Sequence, residues 1–312
     1  MRFCPYLGNE TDEPFNREHV IPDAIGGADN FCIDVCESMN SKGQELIENS
    51  FVHDYSMQRP KAECNVSSRS GQKPQYKVEG EFDDGTKVRV AIDAEGNQTV
   101  IPVKPVDKVE TENPDGSRNL EVTILLHDSD PNLKHLEKVE AANAKISEVT
   151  NRVESELGGS IRAETTIDRT ALLRGYAKIA FAACCFKFPE WAKCVVAGEY
   201  RQLLDESWEP SNGSWAVKWQ WLQQGDEKHV LFPEVSACQH VIVLYGCGNG
   251  KLICGVKLFG GEVVAEGDQK TAMFEMHDAP QPFLGDACRW YARIDSTSKK
   301  VEFVEDVLAR PT

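Results

Sequence analysis

The spacing of hydrophobic and polar positions changes several times along the chain. From Tyr76 to Leu126 they alternate: Tyr76-Lys77-Val78-Glu79-Gly80-Glu81-Phe82 and Thr86-Lys87-Val88-Arg89-Val90 flank Asp83-Asp84-Gly85. Thr99-Val100-Ile101 follows the turn Glu95-Gly96-Asn97, and Asn113-Pro114-Asp115-Gly116 leads into Leu120 to Leu125. Period-two patterning with such turns predicts an antiparallel meander. Between 131 and 157 the period lengthens. Leu133, Leu136, Val139, Ile146, Val149 and Val153 recur at threes, fours and sevens, and Gly158-Gly159 ends the predicted helix. Thr170 to Phe188 is apolar on nearly every side and predicts a central buried helix. Pro189 opens another, to about Ser207, and tryptophans at 208, 215, 219 and 221 follow as core or lid residues. Strands return at His240–Tyr245, Lys251–Phe259 and from Glu262.

The first residues are patterned differently. Phe3-Cys4-Pro5-Tyr6 and Val20-Ile21-Pro22 read as extended pieces, Gly26-Gly27 as a corner, and Cys36 to Asn49 as a short helix with Leu46 and Ile47 inward. The expected organisation is α+β: a unit at 1–57, a basic linker at 58–75, and a larger mixed domain at 76–312. In the linker, Arg59, Lys61, Arg69 and Lys73 face only Glu63, which suits a solvated connection or a phosphate-contacting arm.

Composition narrows the reading. The chain of 312 residues carries a formal charge of −16, and residues 1–50 hold three Lys/Arg against ten Asp/Glu. Duplex binding rests on cations that neutralise phosphates, so free DNA is expected to bind weakly or through a partner protein. No apolar run is long enough for a membrane helix, and the first residues lack a signal-peptide pattern, so a cytoplasmic protein is expected. The eleven cysteines lie mostly in apolar contexts and are expected to be buried free thiols.

The candidate chemistry lies between Arg17 and Gly43. Glu18 and His19 sit on one extended piece, Asn30 in the connection, and Asn40 where the helix begins. A carboxylate beside a histidine, with asparagines 11 and 21 residues beyond the histidine, suits metal-assisted phosphodiester hydrolysis. Taken singly, His19 reads as a surface histidine and Asn40 as a helix cap.

Together with Glu18-His19-Val20-Ile21-Pro22, Gly26-Gly27 and Asn40-Ser41-Lys42, the stretch Cys4–Asp54 resembles the HNH endonuclease superfamily. That resemblance implies a ββα-metal fold around one divalent cation, Mg²⁺ or Mn²⁺. It implies that His19 is the general base, that Glu18 and Asn40 hold the ion, and that Asn30 braces the loop behind the histidine. Arg17 and Lys42 are then candidate phosphate contacts. Family members often carry two Cys-x-x-Cys pairs on a structural zinc, whereas here Leu7 and Met39 occupy expected cysteine positions. Two thiolates, Cys4 and Cys36, cannot close a tetrahedral zinc site, so an apolar plug is expected; a different set with Cys32 and Cys64 lacks support from spacing. The implied activity is DNA cleavage or nicking, in a setting such as defence against invading DNA. RNA cleavage and a catalytically silent HNH-derived scaffold are the alternatives.

Overall fold

The computed structural model describes residues 1–67, 73–82, 87–102, 107–112, 118–123, 161–165, 167–205, 208, 218–222, 232–246, 251–260, 271–276 and 288–307. The helix expected at 131–157, the strand expected from Glu262, and the turns at 83–85 and 113–116 lie outside these residues. The chain is mixed α+β with antiparallel sheets.

It forms two compact units that differ from the expected division. One combines Met1–Pro74 with Thr166–Thr312, and the other is Gln75–Thr165. The meander is a unit of its own, and the last 147 residues belong with the first 74 because they share one hydrophobic core.

In the first unit, β1 (Arg2–Cys4) pairs with β2 (Asn9–Thr11), and β3 (Phe15–His19) pairs antiparallel with β4 (Cys32–Cys36). β4 runs directly into α1 (Glu37–Gly43), which continues through a π turn at Gln44–Glu48 into α2 (Asn49–His53). The expected helix is thus present but carries one widened turn. Next comes α3 (Tyr55–Glu63), so the start of the expected linker is helical. Its Arg59 pairs with Glu63 one turn on, at 2.8 Å, which is intrahelical partnering rather than a free basic arm.

The second unit holds a sheet in the order β10-β5-β6-β7, built from β5 (Gln75–Phe82), β6 (Lys87–Asp93), β7 (Gln98–Pro102) and β10 (Ile161–Glu164). A separate pair joins β8 (Asp107–Glu112) to β9 (Arg118–Thr123). Alternation along β5 matches its burial pattern residue by residue, as a one-sided strand requires.

The chain then returns to the first unit through α4 (Arg169–Lys187). Asp168 caps this helix, its side chain accepting from the amides of Thr170 and Ala171 at 3.0 Å each. Residues 171–173 and 175–185 of α4 are buried, so it is covered on all sides. The Phe51 ring rests on Gly175, where a Cβ would come within 2.3 Å of it; only glycine permits that approach. The helix expected from Pro189 is broken into a 3₁₀ turn at Pro189–Lys193, α5 (Val195–Arg201) and a second 3₁₀ turn at Gln202–Leu204. The remaining strands are β11 (Trp219–Leu222), β12 (Gln239–Gly246), β13 (Leu252–Lys257), β14 (Thr271–Glu275), β15 (Cys288–Asp295) and β16 (Lys300–Val307). They form one antiparallel sheet in the order β11-β14-β13-β12-β15-β16. α4 packs on this sheet and also meets β4, α2 and the π turn.

The thiols depart from expectation at one pair. Cys64 and Cys238 form a disulfide with Cα atoms 5.4 Å apart, tying the end of α3 to the start of the strand-rich half. Cys64 is therefore unavailable to an alternative zinc site. Among the described residues no helix is long and apolar enough to cross a membrane.

Candidate functional site

The site is built on the β3–β4 hairpin and the loop between its strands. Side chains alternate along β3, so Glu18 turns to the buried face and His19 to the opposite one. Register places His19 across from Cys32 and Glu18 across from Ile33. Past His19 the chain makes a 3₁₀ turn at Asp23–Ile25, closed by Gly26 in the left-handed region at φ +95°. It then runs to Asp29 and re-enters the hairpin, with the Val20 amide donating to Phe31 O at 2.9 Å.

This loop brings Asp29 back onto the histidine. Nε2 of His19 lies 3.2 Å from Oδ1 of Asp29. A carboxylate only accepts, so Nε2 of the neutral ring carries the proton and Nδ1 is the basic nitrogen. His19, Asp23 and Asp29 each offer a ligand atom, all within 4.8 Å of one another. Two carboxylates and an imidazole form a hard, oxygen-rich donor set, which suits Mn²⁺ and, through the oxygens, Mg²⁺. Asp23 is also ion-paired to Lys299, from the turn between β15 and β16.

Glu18 lies elsewhere. It is 7% exposed and paired to Lys178 of α4, which also pairs with Glu48 on the π turn. The Lys178 ammonium donates to the carbonyl oxygen of His19 at 3.3 Å, and the Tyr6 hydroxyl donates to Glu18 at 3.4 Å. Burial pushes the Glu18 carboxyl up to about 7; Lys178 pulls against that rise and the like charge of Glu48 adds to it. Burial acts to lower the Lys178 pKa, but Glu18 and Glu48 outweigh it and hold the ammonium well above its ordinary value. The Glu18 carboxyl thus retains its proton to near neutrality.

Asn40 lies inside α1 rather than at its cap, which is Cys36. Its amide donates to Oδ1 of Asn16 at 2.7 Å and ties the helix to β3. Asn16 and Glu18 are two apart on the strand, so Asn40 approaches the face of β3 that carries Glu18. Asn30 is exposed, and His19 hydrogen-bonds instead to its neighbour Asp29, which accepts. Arg17 is exposed and donates to the Asp29 carbonyl, while Lys42 is exposed on α1. Cys4 and Cys36 do come together, with sulfurs 3.1 Å apart. The expected apolar plug is half absent, since Leu7 lies 36% exposed and only Met39 packs against the core.

Sequence reasoning missed Asp23, Asp29 and Lys178. The two aspartates flank the Gly-Gly corner and offered no spacing signal of their own. Lys178 did offer one: a lone lysine within an otherwise apolar helical run must find buried carboxylates or reach solvent. Comparison with protein-family models, curated proteins and solved structures gave no match.

Proposed function

We propose that the protein is a metal-dependent endonuclease or nickase of HNH type that hydrolyses DNA phosphodiester bonds. The observation that carries this reading is the His19–Asp29 pair on a β3–β4 hairpin that runs straight into the helix bearing Asn40. In this reading Asp29 holds the His19 ring with Nδ1 free to take a proton from the attacking water. An imidazole is suited to that step because its ordinary pKa of about 6.5 lies near neutrality. Asp23 and Asp29 would hold the divalent cation, a choice favoured over Glu18 because both lie with His19 whereas Glu18 is buried on the opposite face of β3. When bound, the cation supplies charge stabilisation at the reacting phosphate. Arg17, which reaches the Asp29 carbonyl, and the exposed Lys42 serve as phosphate contacts in this reading. The net charge of −16 makes a partner protein, or a modified substrate, the means of bringing DNA near.

Supercoiled plasmid with Mg²⁺ or Mn²⁺ tests the reading. Wild type is expected to nick or linearise it, with His19→Ala slower by at least on the order of a hundredfold and Asn40→Ala also impaired. Equal cleavage by all three proteins would remove the assignment. A silent scaffold descended from the same fold is the second reading, favoured by Lys178 and Lys299, which neutralise Glu18 and Asp23. Calorimetric titration with Mn²⁺ separates the two, because a scaffold has no need of the ion.

A further inference from the structure

We propose that Lys178 is a positioning residue of the His19 site, and that its ammonium stands where the resemblance would place the metal on Glu18. This rests on the nuclease reading and changes its ligand set: Glu18 belongs to an internal brace, and the cation binds without it.

Lys178 is 2% exposed, and a charged amine taken from water is tolerated only if its donors are met. An ammonium has three N–H donors. Here it meets three acceptors: the Glu18 carboxylate, the Glu48 carboxylate and the backbone carbonyl of His19 at 3.3 Å. They come from two elements. Glu18 and His19 end β3, and Glu48 arrives by way of the π turn. A π turn inserted in a helix shifts the residues after it around the axis, and such turns recur at functional sites. The brace therefore fixes the peptide of His19 from behind while Asp29 holds its ring from the front. Tyr6, buried and within hydrogen-bonding reach of Glu18, closes the remaining side.

One consequence concerns chain organisation. The residue that positions His19 lies 159 positions away in sequence, on the helix that anchors the strand-rich half. The site is complete only when that helix is docked.

The experiment uses the full chain and compares wild type with Glu18→Gln and Lys178→Met, with folding checked by thermal melting. Three readouts are taken: Mn²⁺ affinity by calorimetry, plasmid cleavage, and the carbonyl ¹³C signal of His19 in protein labelled at histidine and assigned with His19→Gln. Glu18→Gln is expected to leave Mn²⁺ affinity within about twofold while cleavage falls on the order of tenfold or more, because a displaced base loses rate rather than ion affinity. Folded Lys178→Met is expected to do the same and to move the His19 carbonyl signal. A drop in Mn²⁺ affinity of about tenfold in Glu18→Gln would make Glu18 a ligand and overturn the proposal. So would a folded Lys178→Met with an unmoved His19 carbonyl signal. Should Lys178→Met fail to fold, the near-isosteric Glu18→Gln still decides through ion affinity and the carbonyl signal. Should wild type neither cleave DNA nor bind Mn²⁺, the nuclease reading fails, and the carbonyl signal alone judges the brace.

Discussion

Glu18→Gln is expected to make the folded protein acid-sensitive, exposing a loss of about 3 kcal/mol between pH 6.5 and 4 that the wild type partly conceals. The loss originates in His240, which is fully buried on β12. Its Nε2 donates to Ile25 O at 2.8 Å, and its Nδ1 accepts from the Phe259 amide at 3.1 Å. Both nitrogens are committed to the neutral ring. Burial lowers the pKa from the ordinary 6.5 to about 4, against the opposing pull of the Ile25 carbonyl and Asp295. The unfolded chain therefore takes up a proton first as pH falls. The stability His240 contributes is complete above 6.5 and is lost progressively down to about 4. Glu18 has the opposite sign. Its folded pKa is raised from 4.5 to about 7, so the folded state binds the proton first and gains stability as pH falls through that window. The two effects oppose each other where they overlap, between pH 6.5 and 4.5. Urea midpoints at stepped pH would fall less steeply in the wild type than in Glu18→Gln across the overlap, with Glu18→Gln/His240→Gln flat. Superimposable profiles for wild type and Glu18→Gln would show that Glu18 does not titrate as described.

The second large effect belongs to Gly27→Ala, which is expected to cost roughly 4 kcal/mol or to prevent folding. A Cβ there would sit 1.8 Å from the Ile21 carbonyl oxygen and 2.8 Å from its carbon. Both obstacles are backbone atoms, and neither can withdraw like a side-chain tip. Ile21 is itself 1% exposed, and the Gly27 amide donates to Pro22 O at 3.1 Å, so the loop is closed on itself at this point. Gly26 is constrained differently, by φ +95° and by Ser296 O at 2.4 Å from its ideal Cβ position. Gly96→Ala is the control. It shares a positive φ, +82°, but has nothing within 4 Å, so only backbone strain of about 1 kcal/mol is expected. Equilibrium denaturation of the three proteins checks this. A Gly27→Ala protein within about 1 kcal/mol of wild type would contradict the close approach.

Much of the local structure was legible because it is set by short-range rules. The alternation of β5, the apolar run of α4 and the glycine corner all declared themselves through periodicity or backbone permission. So did the placement of His19 on a strand, although the strand ends there and Val20–Pro22, read as extended, lie in the loop. What was hidden depends on long-range packing. No spacing rule links Lys178 to Glu18, and nothing in either sequence neighbourhood marks Asp29 rather than Asn30 as the partner of His19. The domain division failed for the same reason: a linker-like composition at 58–75 reads as a boundary, whereas the true partner of residues 1–74 begins only at 166. Cys64–Cys238 was illegible as well, because a cysteine's partner is set by the fold and not by its neighbours.

That disulfide has a bearing on connectivity. Its ends are 174 residues apart and bracket all of Gln75–Thr165, the second compact unit. The covalent graph of the chain is therefore a closed ring carrying two tails, and the second unit is one arc of that ring. The hairpin bearing His19 lies on one tail, and the sheet strands from β12 onward lie on the other. A single cut anywhere in the arc opens the ring without separating the tails. The two stretches that build the His19 site would remain one molecule even when the polypeptide between them is severed.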